Sequence, residues 1–211
     1  MDKIKVILFA MTGFGNNAFK VLKRQPFIEL IGVFTPKRKE TPFPYYKCRK
    51  IQDEVIDNGI ALYEGSILKE TKACELLRAL SPDLIVVSTF RQIIPEDIIS
   101  IPKLGIVNIH PSLLPKYRGP TPTHWVLANR EKQTGITIHF IEDERIDSGR
   151  IIAQRRLDIL HSDTEGILRK KLAALSEKAL VDALLLVMKE DRKAFIAQDE
   201  KKASYYPKPK V

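Results

Sequence analysis

Cysteine is nearly absent from this chain: only Cys48 and Cys74 occur in 211 residues, far apart and with no paired spacing. A disulfide framework and a cysteine-based zinc site are therefore not expected, and the chain is read as metal-free. No apolar run is long enough to span a bilayer, which argues against a membrane protein. Met1-Asp2-Lys3-Ile4-Lys5 enters a strand pattern directly and lacks the layout of a signal peptide, so the cytoplasm is the expected compartment. Internal repeats, a low-complexity linker and a composition break between domains are also missing.

What remains is an ordinary globular composition, long enough for one α/β domain with a sizeable core. The formal net charge of +9 favours anionic partners such as nucleotides or RNA. Solvated surface charge is the plainer reading, yet the basic residues cluster. Lys37-Arg38-Lys39, Lys47, Arg49 and Lys50 share one Pro-containing segment, and Lys201, Lys202, Lys208 and Lys210 lie near the end.

Lys3 to Ala10 reads as a buried strand, Met11 to Gly15 as a turn, and Asn16 to Lys23 as a helix with Ala18, Phe19 and Leu22 on one face. Phe27 to Phe34 and Ile60 to Tyr63 read as strands around a helix near Arg49 to Asp57. Leu84-Ile85-Val86-Val87-Ser88 is a continuous apolar run of the central parallel type, and Gly105 to Ile109 is the next strand. Thr121 to Asn129 looks helical, and Thr137 to Ile141 and Arg150 to Leu157 look extended around the loop Glu142 to Gly149. Ser162 with Glu165 forms a capping box for a long helix whose Leu168, Leu172, Leu175, Ala179 and Ala183 share a face. One short strand is expected after Asp191. This alternation predicts a doubly wound, Rossmann-like, mostly parallel α/β sheet, with a single domain over 1–206 and a basic tail over 207–211.

Asn108-Ile109-His110 carries the most chemical information. Residues two apart on an extended segment face the same side, so an amide donor and an imidazole can enter one cleft. Such a pair needs a partner to fix the imidazole's tautomer and charge. Asp147, in Ile146-Asp147-Ser148-Gly149, is the best candidate, with Gly149 allowing a tight turn. Glu142, Asp143 and Glu144 compete and read more simply as solvated loop charges.

Asn108-x-His110-x-Ser112-Leu113-Leu114-Pro115-x-x-Arg118-Gly119, Thr134-Gly135-Ile136-Thr137 and Asp147-Ser148-Gly149-Arg150-Ile151, in that order, resemble the folate-dependent formyltransferase family, which includes enzymes acting on methionyl-tRNA, glycinamide ribonucleotide and sugar nucleotides. The resemblance runs nearly to the end, through Ala203-Ser204-Tyr205-Tyr206-Pro207. It implies transfer of a formyl group from the co-substrate 10-formyltetrahydrofolate to a primary amine, with Asn108, His110 and Asp147 catalytic. Asn108 and His110 would stabilise the former formyl oxygen, and Asp147 would polarise His110 and hold a proton-relaying water. The resemblance further implies a folate pocket at Ser88, Phe90, Arg91, Gln92, Ile93, Ile94, Ile141, Glu142 and Asp143. Acceptor contacts would come from Gly13, Phe14, Gly15, Ser112, Arg118 and Gly119, and a cis bond is implied at Leu114-Pro115.

Several alternatives stay open. Gly13-Phe14-Gly15-Asn16-Asn17-Ala18 satisfies G-x-G-x-x-A, the fingerprint of a dinucleotide-binding oxidoreductase. The second strand ends without an acidic residue for a ribose, although Lys37-Arg38 would suit the 2′-phosphate of NADP. A non-catalytic RNA-binding domain and formyl-folate hydrolysis are the other rivals. For the acceptor, the chain's end at Val211, short of the extra tRNA-gripping domain of methionyl-tRNA formyltransferases, favours a small amine such as a nucleotide-linked amino sugar. The basic 35–50 segment pulls toward tRNA, and glycinamide ribonucleotide is the third choice. Homo-oligomer formation stays open.

Overall fold

The computed structural model describes residues 3–38, 46–189 and 195–209. It divides into two compact units, Met1–Asn108 with Glu142–Glu144, and Ile109–Ile141 with Arg145–Val211. Lys39 of the basic segment, Lys210 of the tail and the start of the strand expected after Asp191 fall outside the described residues.

The first unit is built on β1 (Ile4–Ala10), β2 (Ile28–Thr35), β3 (Leu62–Glu64), β4 (Leu84–Ser88) and the start of β5 (Ile106–His110), in the order β3-β2-β1-β4-β5. β1 pairs in parallel with both β2 and β4, and β2 in parallel with β3. Val6 to Phe9 and Leu84 to Val86 are fully enclosed, which is why these strands read as unbroken apolar runs rather than alternating ones. The connecting helices are α1 (Phe14–Arg24), α2 (Ile51–Asp57), α3 (Thr71–Leu80) and α4 (Glu96–Ile99). The expected stripe of Ala18, Phe19 and Leu22 is the buried face of α1. Lys23 and Arg24 occupy its last turn, where positive charge complements the helix dipole.

The helices α3 and α4 were not expected. α3 buries Ala73, Cys74 and Leu77, a stripe of helical spacing too short to stand out among its charged neighbours.

The second unit holds the end of β5, then α5 (Pro122–Ala128), β6 (Gln133–Ile141), β7 (Ile151–Asp158) and α6 (Glu165–Met188). β6 and β7 are antiparallel, with a register slip between Ile138 and His139. β6 begins four residues earlier than its apolar pattern suggested. Gly135 takes part because a Cβ there would collide with the Arg155 backbone carbonyl across the ladder. α6 buries Leu168, Leu172, Ala179 and Ala183 as expected, while Leu175 is only half-buried.

The cap of α6 differs from the expected one. Thr164, not Ser162, accepts the backbone N–H of Ile167, and Asp163 folds back to take the Leu160 N–H at 3.0 Å. The carboxylate of Asp163 also receives the Lys171 ammonium at 2.6 Å. Where the expected strand after Asp191 is described, from residue 195 on, it shows an isolated bridge between Ile196 and Ile151. The architecture otherwise has the expected α/β class with a mostly parallel sheet. No described helix is long and apolar enough to cross a membrane.

Candidate active site

His110 is the last residue of β5 and is 4% exposed. Its Nε2–H donates to the Tyr117 carbonyl at 2.8 Å, because a carbonyl can only accept. Tyr117 presents that carbonyl from a left-handed conformation, φ 62°, and the Ser112 hydroxyl approaches the same oxygen at 3.4 Å. The stretch between them includes the cis peptide bond at Leu114–Pro115. With Nε2 fixed, Nδ1 faces the Asp147 carboxylate at 3.4 Å. The first two expected partners on this side of the site are thus brought together.

Asp147 also receives the backbone N–H of Gly119 at 2.8 Å. Its other carboxylate oxygen lies 3.5 Å from Nε2 of His139, a buried imidazole whose Nδ1–H donates to the Phe140 carbonyl at 2.8 Å. Burial opposes ionisation of this carboxyl, but the two imidazoles and the Gly119 amide outweigh it and hold Asp147 well below the usual carboxylate range. For His110 the balance runs the other way. Burial favours the neutral ring and exceeds the pull of Asp147 toward the charged form, so its pKa is lowered.

A neutral His110 bonded through Nε2–H turns a lone pair toward the carboxylate. Both groups are then acceptors, and 3.4 Å is longer than a charge-assisted hydrogen bond. The arrangement is one that takes up a proton from a third group lying against both.

His139 was not anticipated. It sits at the register slip of β6, and such irregularities re-aim side chains. The Thr-Ile-His-Phe run around it gave no hint beyond strand alternation. Asn108 is half-buried on β5, two residues before His110.

Other expected site residues have visible structural duties. Arg118 is engaged through its guanidinium by Gln198 at 2.8 and 3.1 Å and by both carboxylate oxygens of Glu200 at 2.8 and 2.9 Å. Gly119 has φ 110°, and a Cβ there would overlap the Tyr206 carbonyl oxygen. The Ser112 hydroxyl donates to the Lys116 carbonyl at 2.8 Å. The left-handed residue of the 147–149 turn is Asp147 itself, φ 51°, rather than Gly149.

In the first unit, Gly13 donates its N–H to the Asn16 side chain at 2.8 Å, and Gly15 donates to the Met11 carbonyl at 3.1 Å. Phe14 is buried. A Cβ on Gly15 would lie 2.7 Å from Ala10 Cβ, so this glycine admits the strand beneath it rather than a pyrophosphate above it.

Of the expected folate-pocket residues, Ser88 and Ile94 are buried, Ile93 and Arg91 are exposed, and Phe90 packs against Phe9 at 5.2 Å between ring centroids. The Gln92 amide is spent on the backbone of Ser66 and Leu68. Ile141 ends β6 half-buried, followed by exposed Glu142 and half-buried Asp143. Among the described residues no cluster of His, Cys, Asp or Glu could hold a metal ion.

A profile described as Formyl transferase matches residues 3–184. The chain belongs to the formyl transferase family. A methionyl-tRNA formyltransferase of Dictyoglomus turgidum is 37% identical over 200 residues, covering 92% of this chain and 63% of that protein. The chain therefore spans less than two thirds of that relative's length. The solved phosphoribosylglycinamide formyltransferase of Bacillus halodurans superposes with a TM-score of 0.71 at 26% identity, covering 86% of this chain and 95% of that one. The N-formyltransferase of Helicobacter canadensis, solved in complex with folinic acid and dTDP-3-aminofucose, has a TM-score of 0.72 at 21% identity, covers 99% of this chain and 71% of its own, and shares the fold.

Proposed function

We propose that this chain transfers a formyl group from 10-formyltetrahydrofolate to a primary amine, using Asn108, His110 and Asp147. The observation that carries the reading is His110 Nδ1 facing the Asp147 carboxylate at 3.4 Å, with the ring anchored through Nε2 to the Tyr117 carbonyl and the same carboxylate oxygen bonded by the Gly119 N–H. A proton acceptor of this kind suits attack by an amine, which must shed a proton as its nitrogen bonds to the formyl carbon. Asn108, two residues back on the same strand, supplies an amide donor for the oxygen that becomes negative in the tetrahedral intermediate. His110 and Asp147 take the amine's proton, directly or through a water, and a proton reaches the leaving nitrogen as its bond to carbon breaks. The co-substrate supplies the formyl group and leaves as tetrahydrofolate.

Support for a folate comes from the Helicobacter canadensis relative, which was solved with folinic acid. Within this chain the buried Ser88 hydroxyl, at the carboxyl end of β4, has no hydrogen-bond partner. An orphaned polar atom at that end of a parallel strand fits the hydrogen-bonding edge of a pterin. Phe90, Ile93 and Ile94 would offer the apolar contacts there. Glu142 and Asp143 would contribute backbone groups, while Gln92 supports the loop.

The sequence similarity to a methionyl-tRNA formyltransferase favours an aminoacyl amine as acceptor. The nucleotide-linked amino sugar expected from the sequence is the second reading, since Ser112 to Gly119 with Pro122 looks like both branches. A donor-dependent formylation screen of methionyl-tRNA, nucleotide-linked amino sugars and glycinamide ribonucleotide tests both. Asn108→Ala is expected to lose at least ~100-fold in turnover while staying folded, because one preorganised oxyanion donor is worth about 3–4 kcal/mol of barrier. His110→Ala is expected to lose at least ~100-fold as well, the usual worth of a positioned proton acceptor. Near-normal turnover in either variant defeats the assignment.

A further inference from the structure

We infer that Gln198 is a positioning residue for Asp147, an inference that rests on the catalytic reading above. Asp147 adopts the left-handed region at φ 51° without being glycine. Asp tolerates that region better than most residues but less freely than glycine, so its surroundings matter to holding it there. The Gln198 amide supplies the hold. Its nitrogen donates to the Asp147 carbonyl at 2.8 Å and to the Gly149 carbonyl at 2.7 Å, pinning both sides of the turn. Its oxygen accepts two N–H groups of Arg118 at 2.8 and 3.1 Å.

Arg118 immediately precedes Gly119, whose N–H holds the Asp147 carboxylate at 2.8 Å. One side-chain amide therefore fixes both the backbone that carries the carboxylate and the loop whose N–H aims it. Both donor hydrogens and both acceptor positions of Gln198 are used, so no other side chain reproduces the set. A carboxylate at 198 would keep the Arg118 contact and lose both donations, facing two carbonyl oxygens instead. An asparagine is one methylene too short. Displacement of a reacting group by about 1 Å costs on the order of 100-fold in rate, so a residue that never touches substrate can control turnover.

The test compares Gln198→Ala, Gln198→Glu, Asp147→Asn and Trp125→Phe in the same formylation assay, with KM for donor and amine, the pH profile, and the His110 titration followed by NMR. Trp125 donates its indole N–H to the Pro207 carbonyl at 2.9 Å and so anchors the same C-terminal segment away from Gln198. Its variant loosens that segment without touching the amide bridge. Both Gln198 variants are expected to lose about 10- to 100-fold in kcat with both KM values within about twofold. Their acid limb and their His110 titration move to lower pH, because a displaced Asp147 no longer favours the charged imidazole. Trp125→Phe keeps the wild-type pH profile. Wild-type kcat and His110 titration in the Gln198 variants overturn the inference, as does loss of the native fold in both, which makes the residue merely structural. Asp147→Asn with normal transfer defeats the underlying catalytic reading instead.

Discussion

Replacing Gly119 by alanine separates two accounts of this residue, a contact for the acceptor or a backbone joint. The residue lies at φ 110°, a region that side chains other than hydrogen enter at a cost of about 1–2 kcal/mol. The added methyl would also penetrate the Tyr206 carbonyl oxygen, with the Tyr205 ring 3.1 Å away. The residue carrying that carbonyl is tied in place, its N–H bonded to the Arg118 carbonyl at 2.9 Å. The Tyr206 ring stacks on Tyr117 with centroids 5.0 Å apart and is held further by Trp125 and Asn129. Overpacking of this kind costs about 1–3 kcal/mol, which puts the whole change near 2–5 kcal/mol. With a urea slope of about 2 kcal/mol per molar, the unfolding midpoint is expected to fall by about 1–2.5 M. Turnover falls as well, since the Gly119 N–H that aims Asp147 is displaced with the loop. The assay is urea unfolding by circular dichroism alongside formylation kinetics. An unchanged midpoint combined with a raised acceptor KM refutes the joint and restores the contact.

Acid should weaken the fold in two stages. The folded pKa of His110 is lowered, so the unfolded chain takes up its proton first and stability declines as pH drops below about 6.5. Asp147 is held low, so its contribution is complete above about pH 4 and disappears as pH falls further. Urea midpoints across this range should show the first decline in wild type and a flatter profile in His110→Asn; matching profiles would contradict the linkage. At the start of α6, Thr164→Ala is expected to cost about 1 kcal/mol and Ser162→Ala less than about 0.5, since only Thr164 accepts the Ile167 N–H. The reverse ranking in thermal unfolding would place the cap where the sequence pattern had put it.

Local patterns made most of the scaffold legible. The runs at Val6–Phe9 and Leu84–Val87 could only be enclosed strands, and Ala18, Phe19 and Leu22 could only be one face of a helix. Boundaries slipped where tertiary contacts decide them. β6 gains Gln133 to Ile136 by pairing with β7, while α3, made largely of strong helix formers, buries a stripe of only three residues. The cap of α6 moved from Ser162 to Thr164 because Asp163 found Leu160 and Lys171 instead of continuing the turn.

Residue type and order alone pointed to a formyl transferase fold and put forward an amide, an imidazole and a carboxylate as its candidate reactive groups. Periodicity reports what a residue does for its own strand or helix, and three motifs in sequence order are enough to name a family. Tertiary structure decided the rest. It placed His139 on the far side of Asp147, spent Arg118 on Glu200, and brought Gln198 across 51 positions to the turn that carries the carboxylate. Such groups meet only because the folded chain closes long loops around them, and no window of neighbouring residues contains that information.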